Sequence, residues 1–444
     1  MKDKQTFLMK GSFALLLFVI LGYMVKFYPE MLVNFDQSIQ TAIRGDLPAY
    51  LTVVFRAHTR LIDIPVIITW VVITAFIFYR KRWKIESFFM LGNLALAGLL
   101  IVFIYQKFAG KTGKGMGLIF EVGHGTEKEI PLRLVPILTV ATWITHLFGG
   151  SAGREGVAVQ LGATFSHRFN KYFNFPDKSK VFLVTGMAAG FGGLFQTPIA
   201  ALFFGLEVLA LGNLQLYALL PAVVAAFTAS WTSSFLGLEK FTHIVNTTLS
   251  ITPTMFVKFA ILGIIFGFSG NLFVYLQSFL KKFAAEKIKN PYYRIFIIGI
   301  FLSIILLLLH EGRYTGLGTN LIENSFLGKP IFGYDWILKL LLTTLTLAAG
   351  FQGGEVTPLF SIGASLGVVI GIFFGLPIEF VAAAGYISVF GSATNTLLAP
   401  IFIGGEVFGF NNLPFFVIIV IFAYLVNRKI STYGLQKNYF EEIE

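Results

Sequence analysis

At 444 residues, with 56% hydrophobic residues, 13% charged residues and 50 phenylalanines, the chain has too little charge to cover a water-soluble globule of its size. It reads as a polytopic membrane protein. Zero cysteines exclude disulfides, thiolate metal sites and a thiol nucleophile, and the formal net charge of +11 sits in short clusters at the edges of apolar runs, which assigns it to membrane orientation and not to nucleic acid.

In chain order, apolar runs long enough to cross a bilayer, or most of one, occupy 12–28, 64–79, 88–105, 134–148, 181–211, 214–236, 254–280, 295–309, 337–350, 359–376, 378–403 and 413–427. Ten or more membrane segments are predicted. Long unbroken hydropathy favours helices over a barrel, whose strands would alternate apolar and polar residues. The first run lacks a small-residue cleavage site and is expected to stay on as a helix. The basic clusters Lys2, Lys4, Lys10 and Arg80, Lys81, Arg82, Lys84 are separated by two candidate spans, which places both, and the N-terminus, on the cytoplasmic face of a cell membrane. Only a short polar segment, 428–444, follows the last run, so a single transport domain over 1–444 without a soluble regulatory domain is expected.

The two halves of the chain resemble each other. TGKGMGLIFE, Thr112 to Glu121, recurs loosely as TGLGTNLIE, Thr315 to Glu323. GRE at Gly153 to Glu155 has a counterpart in GGE at Gly353 to Glu355, each followed by an apolar stretch to Gly-Ala at Gly162 and Gly363. ALFFGLEV ending at Val208 pairs with APIFIGGEV ending at Val407. All three offsets fall near about two hundred residues, which predicts a duplicated domain with approximate repeats at 85–240 and 254–427. Gly/Pro-interrupted, short apolar segments in corresponding positions of two halves point to discontinuous helices meeting at a central site. Non-helical backbone at membrane depth is tolerated only where it lines a cavity or is buried in protein. A helix starting there aims free N–H groups and its positive dipole end inward, which favours an anion.

GREGV, Gly153 to Val157, resembles the GREGP motif of the CLC family of chloride channels and anion/proton antiporters, and GGEVTP, Gly353 to Pro358, resembles that family's GGxFxP. GMGLI, Gly115 to Ile119, stands in place of its GSGIP, and Tyr433 in ISTYGLQ in place of its C-terminal tyrosine. Order and spacing match over about 90–440. The departures are similar to those of the bacterial CLC-type fluoride/proton antiporters: Met116 at the serine of GSGIP, Val157 at the proline of the glutamate motif, and Val356 at the phenylalanine of GGxFxP. GKGMG laid on GSGIP would instead put Lys114 at the serine, but Met116 preserves the repeat. The Glu-Glu pair that relays protons in the antiporters looks like Glu207 and Val208 here, so the relay position is apolar.

The resemblance implies an all-α fold of two inverted-topology halves with discontinuous and re-entrant helices around a central anion site. It implies a homodimer with one pathway per subunit, fluoride and protons as the transported species, and a role in fluoride resistance. Glu155 becomes a protonatable gate and Glu355 a second proton-transfer group. Met116, Gly153, Gly156, Val356, Thr357 and Tyr433 become anion-site residues, and Arg154 a supporting one. Read from the residues alone, each has a plainer alternative. An ionisable group at membrane depth costs roughly 2.5–3.5 kcal/mol; Glu155 can meet it as a cap or an ion pair with Arg154, and Glu355 as a helix-end charge. Thr357 can bond back to its own helix, and Tyr433 can be an interfacial anchor.

A chloride/proton antiporter or a passive anion channel is the competing reading. GGSAG, Gly149 to Gly153, also satisfies G-x-S-x-G, which raises a membrane serine hydrolase at Ser151, although that motif needs a strand-to-helix turn and an apolar helix-like run precedes it. GKT at Gly110 to Thr112 lacks the rest of a P-loop, and six histidines without H-E-x-x-H spacing propose no metal. No enzyme activity and no cofactor are expected.

Overall fold

The structure, a computed structural model, describes residues 93–426 and 430–438, all within one compact unit. The expected spans 12–28 and 64–79, the basic clusters beside them and the N-terminal orientation lie outside the described residues. Within these residues the fold is helical: α1 (Asn93–Ile104), α2 (Met116–Gly123), α3 (Leu134–Leu147), α4 (Glu155–His167), α5 (Lys178–Phe195), α6 (Pro198–Glu207) and α7 (Leu219–Phe235), then the long α8 (Pro253–Lys287), then α9 (Pro291–Leu308), α10 (Thr319–Phe326), α11 (Asp335–Ala349), α12 (Val356–Phe374), α13 (Ile378–Thr394), α14 (Leu398–Phe408) and α15 (Leu413–Val426). The seven helices before α8 are matched in order by the seven after it. Four stretches, 93–123, 216–235, 253–287 and 356–374, are apolar and long enough to cross a bilayer, and apolar helices of 10–17 residues accompany them. Large apolar side chains stand exposed on the outside, among them Leu220, Trp231, Phe235 and Phe373, as a lipid-facing surface requires.

Two of the apolar runs are not single helices. The run 181–211 breaks at Gln196, which takes the left-handed conformation (φ 53°), and Thr197, which precedes Pro198 and is extended (φ −118°). Proline supplies no N–H and disfavours helix at the residue before it. The run 378–403 breaks in the corresponding place at Asn395 (φ 52°), a residue type that tolerates left-handed backbone, with its amide held by the carbonyl of Ile430 at 3.0 Å. Hydropathy alone cannot register such breaks, because the residues on either side remain apolar.

Each break creates a helix start with orphan N–H groups inside the protein, and the two halves satisfy them by exchange. Glu207, at the end of α6, accepts from Leu397 N (2.9 Å), Leu398 N (3.0 Å) and Ala399 N (2.7 Å) at the start of α14. Glu406, near the end of α14, accepts from Ile199 N (3.1 Å) and Ala200 N (2.9 Å) at the start of α6. Reciprocal capping of this kind requires α6 and α14 to run antiparallel across an approximate two-fold relation. The repeat motifs ending at Val208 and Val407 contain these two glutamates.

The Gly-Ala pairs of the repeat have a packing cause as well. A Cβ built on Gly162 of α4 would lie 2.2 Å from the carbonyl oxygen of Gly186 on α5, and one on Gly363 of α12 would lie 2.1 Å from that of Gly385 on α13. Glycine lets backbones approach to contact where apolar solvent offers no other drive for association. The α12/α13 pair forms the centre of the core; every residue of α13 from Phe380 to Thr394 is buried. A short parallel pairing of β1 (Ala210–Leu211) with β2 (Lys437–Asn438) returns the C-terminal segment to this core. Gln436 reinforces it by donating to the carbonyls of Val208 (2.9 Å) and Thr394 (3.1 Å).

Replacing Glu207 by Ala strands three buried amides and Glu406 by Ala strands two. With about 1–3 kcal/mol at stake for a stranded buried group, Glu207→Ala is expected to lower the thermal midpoint in detergent more than Glu406→Ala does. Equal midpoints for the two variants and the wild type would remove the capping role.

Candidate anion-binding site

The centre of the site is a contact between two loops that interrupt the two halves at equivalent points. Gly153 N donates to Gly354 O (2.6 Å) and Gly354 N donates to Gly153 O (2.7 Å), an antiparallel bridge between the segment before α4 and the segment before α12. Bulk is excluded at this crossing. A Cβ on Gly153 would meet Glu155 Oε2 at 2.2 Å and Gly354 O at 2.9 Å, and one on Gly354 would meet Gly156 N at 2.7 Å. The bridge brings the first turns of α4 and α12 face to face.

Glu155 uses that juxtaposition. It opens α4, is 1% exposed, and turns its carboxylate onto the start of the other half's helix. Oε2 accepts from Thr357 N (3.1 Å) and Arg154 N (2.9 Å), and Oε1 accepts from the Thr357 hydroxyl. Thr357 is the second residue of α12, so the carboxylate sits where that helix presents its free N–H groups and positive dipole end. Charge-assisted hydrogen bonds stabilise a charge there. The guanidinium of Arg154 forms no ion pair with Glu155; it is exposed, and its backbone N–H makes the contact. Of the two plainer alternatives for Glu155, a cap or an ion pair with Arg154, the carboxylate makes the cap.

A cavity of about 370 Å³ reaches Glu155 and Thr357 from one side of the protein. Its wall includes Arg154, Lys240, Glu323, Phe360 and Tyr386, with the Phe360 and Tyr386 rings stacked at 3.9 Å.

The other candidate residues are placed as follows. Val356 is the first residue of α12 and 1% exposed, and Gly156 is the second of α4. A Cβ on Gly156 would make only ordinary contacts, the nearest 3.5 Å away, so its side of the crossing is looser than that of Gly153. Glu355 immediately precedes α12, is partly buried, and brings its carboxylate to 3.7 Å from that same Cβ position. Tyr433 is 4% exposed and stacks on Phe120 of α2 (5.4 Å between centroids); its hydroxyl is directed toward Glu355 without completing a hydrogen bond to any protein group. Met116 is the first residue of α2, following Gly115 with φ +55°, and packs partly buried against the main core. Lys114, the other candidate for the serine position, is drawn away by Glu121 at 2.7 Å.

Ser151 is fully buried and bonded to Thr343 Oγ1 and Lys339 Nζ, both at 3.0 Å. Among the described residues no strand leads into it, and its burial and engaged hydroxyl count against the serine-hydrolase reading. Lys339 and the two reciprocal caps were missed in the sequence. The lysine lies inside a long apolar run, and an intramembrane cation was itself the signal that could have marked it.

The model of the voltage gated chloride channel family matches residues 97–428. The chain belongs to the voltage-gated chloride channel (CLC) family. Among curated CLC relatives it is 33% identical over 366 residues, 81% of each chain, to the "Chloride/fluoride channel protein" of Pseudomonas syringae pv. tomato. Its fold superposes on the crystal structure of a CLC-type fluoride/proton antiporter with a TM-score of 0.77 and 50% sequence identity, covering 84% of this chain and 94% of that one. A slow cyanobacterial Cl−/H+ antiporter shares the CLC fold at a TM-score of 0.65 and 19% identity, over 81% of this chain and 87% of the other. The protein is thus an all-α, multi-pass CLC membrane protein, not a hydrolase.

Because a Cβ on Gly153 would occupy the space of Glu155 Oε2, Gly153→Ala is expected to expel the carboxylate from the start of α12. A structure of that variant checks it; a carboxylate still bonded to Thr357 would show that the crossing tolerates bulk.

Proposed function

We propose that this protein exports fluoride from the cytoplasm across the cell membrane in exchange for inward-moving protons, with Glu155 as the gate. The observation that carries the reading is the docking of the Glu155 carboxylate on Thr357 N–H and hydroxyl and on Arg154 N–H at the start of α12. A carboxylate held by such donors occupies the position that a small anion would take. The likeness to a solved CLC-type fluoride/proton antiporter at 50% identity supports fluoride as the ion.

Exchange follows from electrostatics. Deprotonated Glu155 and the anion carry the same charge and compete for one set of donors. Protonation cancels the charge on the side chain, weakens its hold on the amides and frees them for the anion. Each proton that enters the site therefore admits one competitor for the donors, and an inward proton gradient drives fluoride outward. Fluoride is small and strongly hydrated, so the site must return short hydrogen bonds for the water it removes. Thr357 and Tyr433 offer hydroxyls, and the starts of α2, α4 and α12 offer N–H groups. Tyr433 is suited to the task because its buried hydroxyl has no completed protein bond. Met116 replaces a donor with a thioether and removes a ligand for a larger halide. Val356, Gly153 and Gly156 shape the passage by backbone and bulk, and Arg154 adds positive potential at the cavity.

Glu355, beside Gly156 and facing Tyr433, is the second proton-transfer group. It takes the place of a relay at Val208, whose position is apolar and whose carbonyl is already engaged by Gln436; Glu207 is committed to capping α14. The assembly is a homodimer with one pathway per subunit, its N-terminus cytoplasmic, and its role is resistance to fluoride. A passive anion channel is the second reading, favoured by the channel designation of the Pseudomonas syringae relative.

Protein reconstituted in liposomes with simultaneous fluoride and pH electrodes tests the proposal. Fluoride efflux is expected to drive proton uptake and to accelerate as pH falls, because acid releases the gate. Glu155→Gln is expected to abolish proton movement. Efflux without protons from the wild type selects the channel, and equal transport of chloride removes the selectivity.

A further inference from the structure

Lys339, on α11, is fully buried. Its ammonium has three protons and gives them to three neutral oxygens: Ser151 Oγ (3.0 Å), Tyr314 O (3.1 Å) and Gly316 O (2.7 Å). The acid one turn earlier on the same helix, Asp335, is already engaged. It is bound by Arg313 Nη2 (2.7 Å) and Nε (3.0 Å) and by the Tyr314 hydroxyl (2.6 Å). Among the described residues, Lys339 has no carboxylate at ion-pair distance. A buried cation without a counter-charge is costly, and a nearby anion offsets that cost.

The surroundings indicate which anion. Ser151 and Gly150 belong to the loop that leads into the Gly153 crossing, and Gly316 N donates to Gly150 O at 3.1 Å. Just beyond Gly316, Leu317 and Thr319 line the same cavity as Glu155 and Thr357. The methylene stem of Lys339 passes beneath that turn: a Cβ on Gly318 would lie 2.8 Å from Lys339 Cε. The side-chain nitrogen is therefore anchored directly behind the cavity wall, below the turn whose Leu317 and Thr319 line it with Glu155.

We propose that Lys339 is the fixed counter-charge of the anion pathway, setting the affinity of the site for whichever anion occupies it, the Glu155 carboxylate or the transported ion. It acts through space and touches neither, so it is a positioning and electrostatic residue rather than a ligand. At low internal dielectric a single charge keeps its influence over several ångströms, and being pinned by three acceptors it costs no reorganisation when the ion arrives. This inference rests on the anion-transport reading above.

The test is calorimetric titration of sodium fluoride into the detergent-solubilised full chain, in a Glu155→Gln background where the gate no longer competes. Lys339→Met is expected to weaken fluoride binding at least about tenfold, equivalent to about 1.4 kcal/mol. Lys339→Arg, which keeps the charge, is expected to stay within about threefold, and so is Ser151→Ala, which removes one acceptor and leaves the ammonium. Unchanged affinity in Lys339→Met overturns the proposal. So does a tenfold loss in Ser151→Ala, which would make the lysine a loop clamp; that arm decides the matter even if Lys339→Met does not fold. Absence of fluoride binding in the Lys339-containing parent overturns the transport reading as well, whereas binding in the parent that Lys339→Met leaves intact overturns this inference alone.

Discussion

The structure depends on helices that begin inside the protein. Backbone N–H groups at such a start have no water to bond, and lipid offers none. Three of these starts are answered by carboxylates from elsewhere in the chain: α14 by Glu207, α6 by Glu406 and α12 by Glu155. Two of the three are exchanges between helix ends within the framework. The third comes from a side chain that lines a cavity, whereas Glu207 and Glu406 do not line it.

The approximate two-fold relation explains why the Glu155 cap sits where it does. The Gly153–Gly354 bridge fastens the two interrupted loops together and the Gly162/Gly186 and Gly363/Gly385 contacts press the flanking helices close. With backbones so near, the first turns of α4 and α12 face one another with the Glu155 carboxylate between them. The halves are not chemically equal at this crossing. Arg154 and Gly156 flank Glu155 in one, Gly354 and Val356 flank Glu355 in the other, and only Glu155 reaches across to cap the opposite helix. Glu355 remains beside Tyr433, whose hydroxyl is left open.

The class of fold, its two related halves and the glycine-rich segments that meet at the crossing were legible because glycine, proline and charge are scarce signals in an apolar chain. GREGV and GGEVTP stand out for that reason, and Tyr433 through its motif. The breaks at Gln196 and Asn395 were hidden because apolar residues resume on either side of these short polar steps, so the runs 181–211 and 378–403 looked unbroken. The partners of Glu207 and Glu406 lie about 190 and 207 residues away, a distance over which no local pattern speaks. The Arg154–Glu155 neighbourhood suggested an ion pair, but adjacent residues at a helix start diverge, and the carboxylate found backbone amides instead. Lys339 was masked by the hydropathy of the run around it, and Ser151 resembled a nucleophile only until its burial and its bonds were visible.

The central claim is that the Glu155 carboxylate and an anion take turns on one set of donors, with a proton deciding the occupant. It is tested most directly by counting the protons exchanged with solvent when purified protein binds fluoride, from binding enthalpies measured in buffers of different ionisation enthalpy. The account requires that fluoride binding take up protons, and that this uptake vanish when position 155 carries glutamine. Fluoride bound with no proton taken up by the wild-type protein would mean that the ion and the Glu155 carboxylate do not share a site.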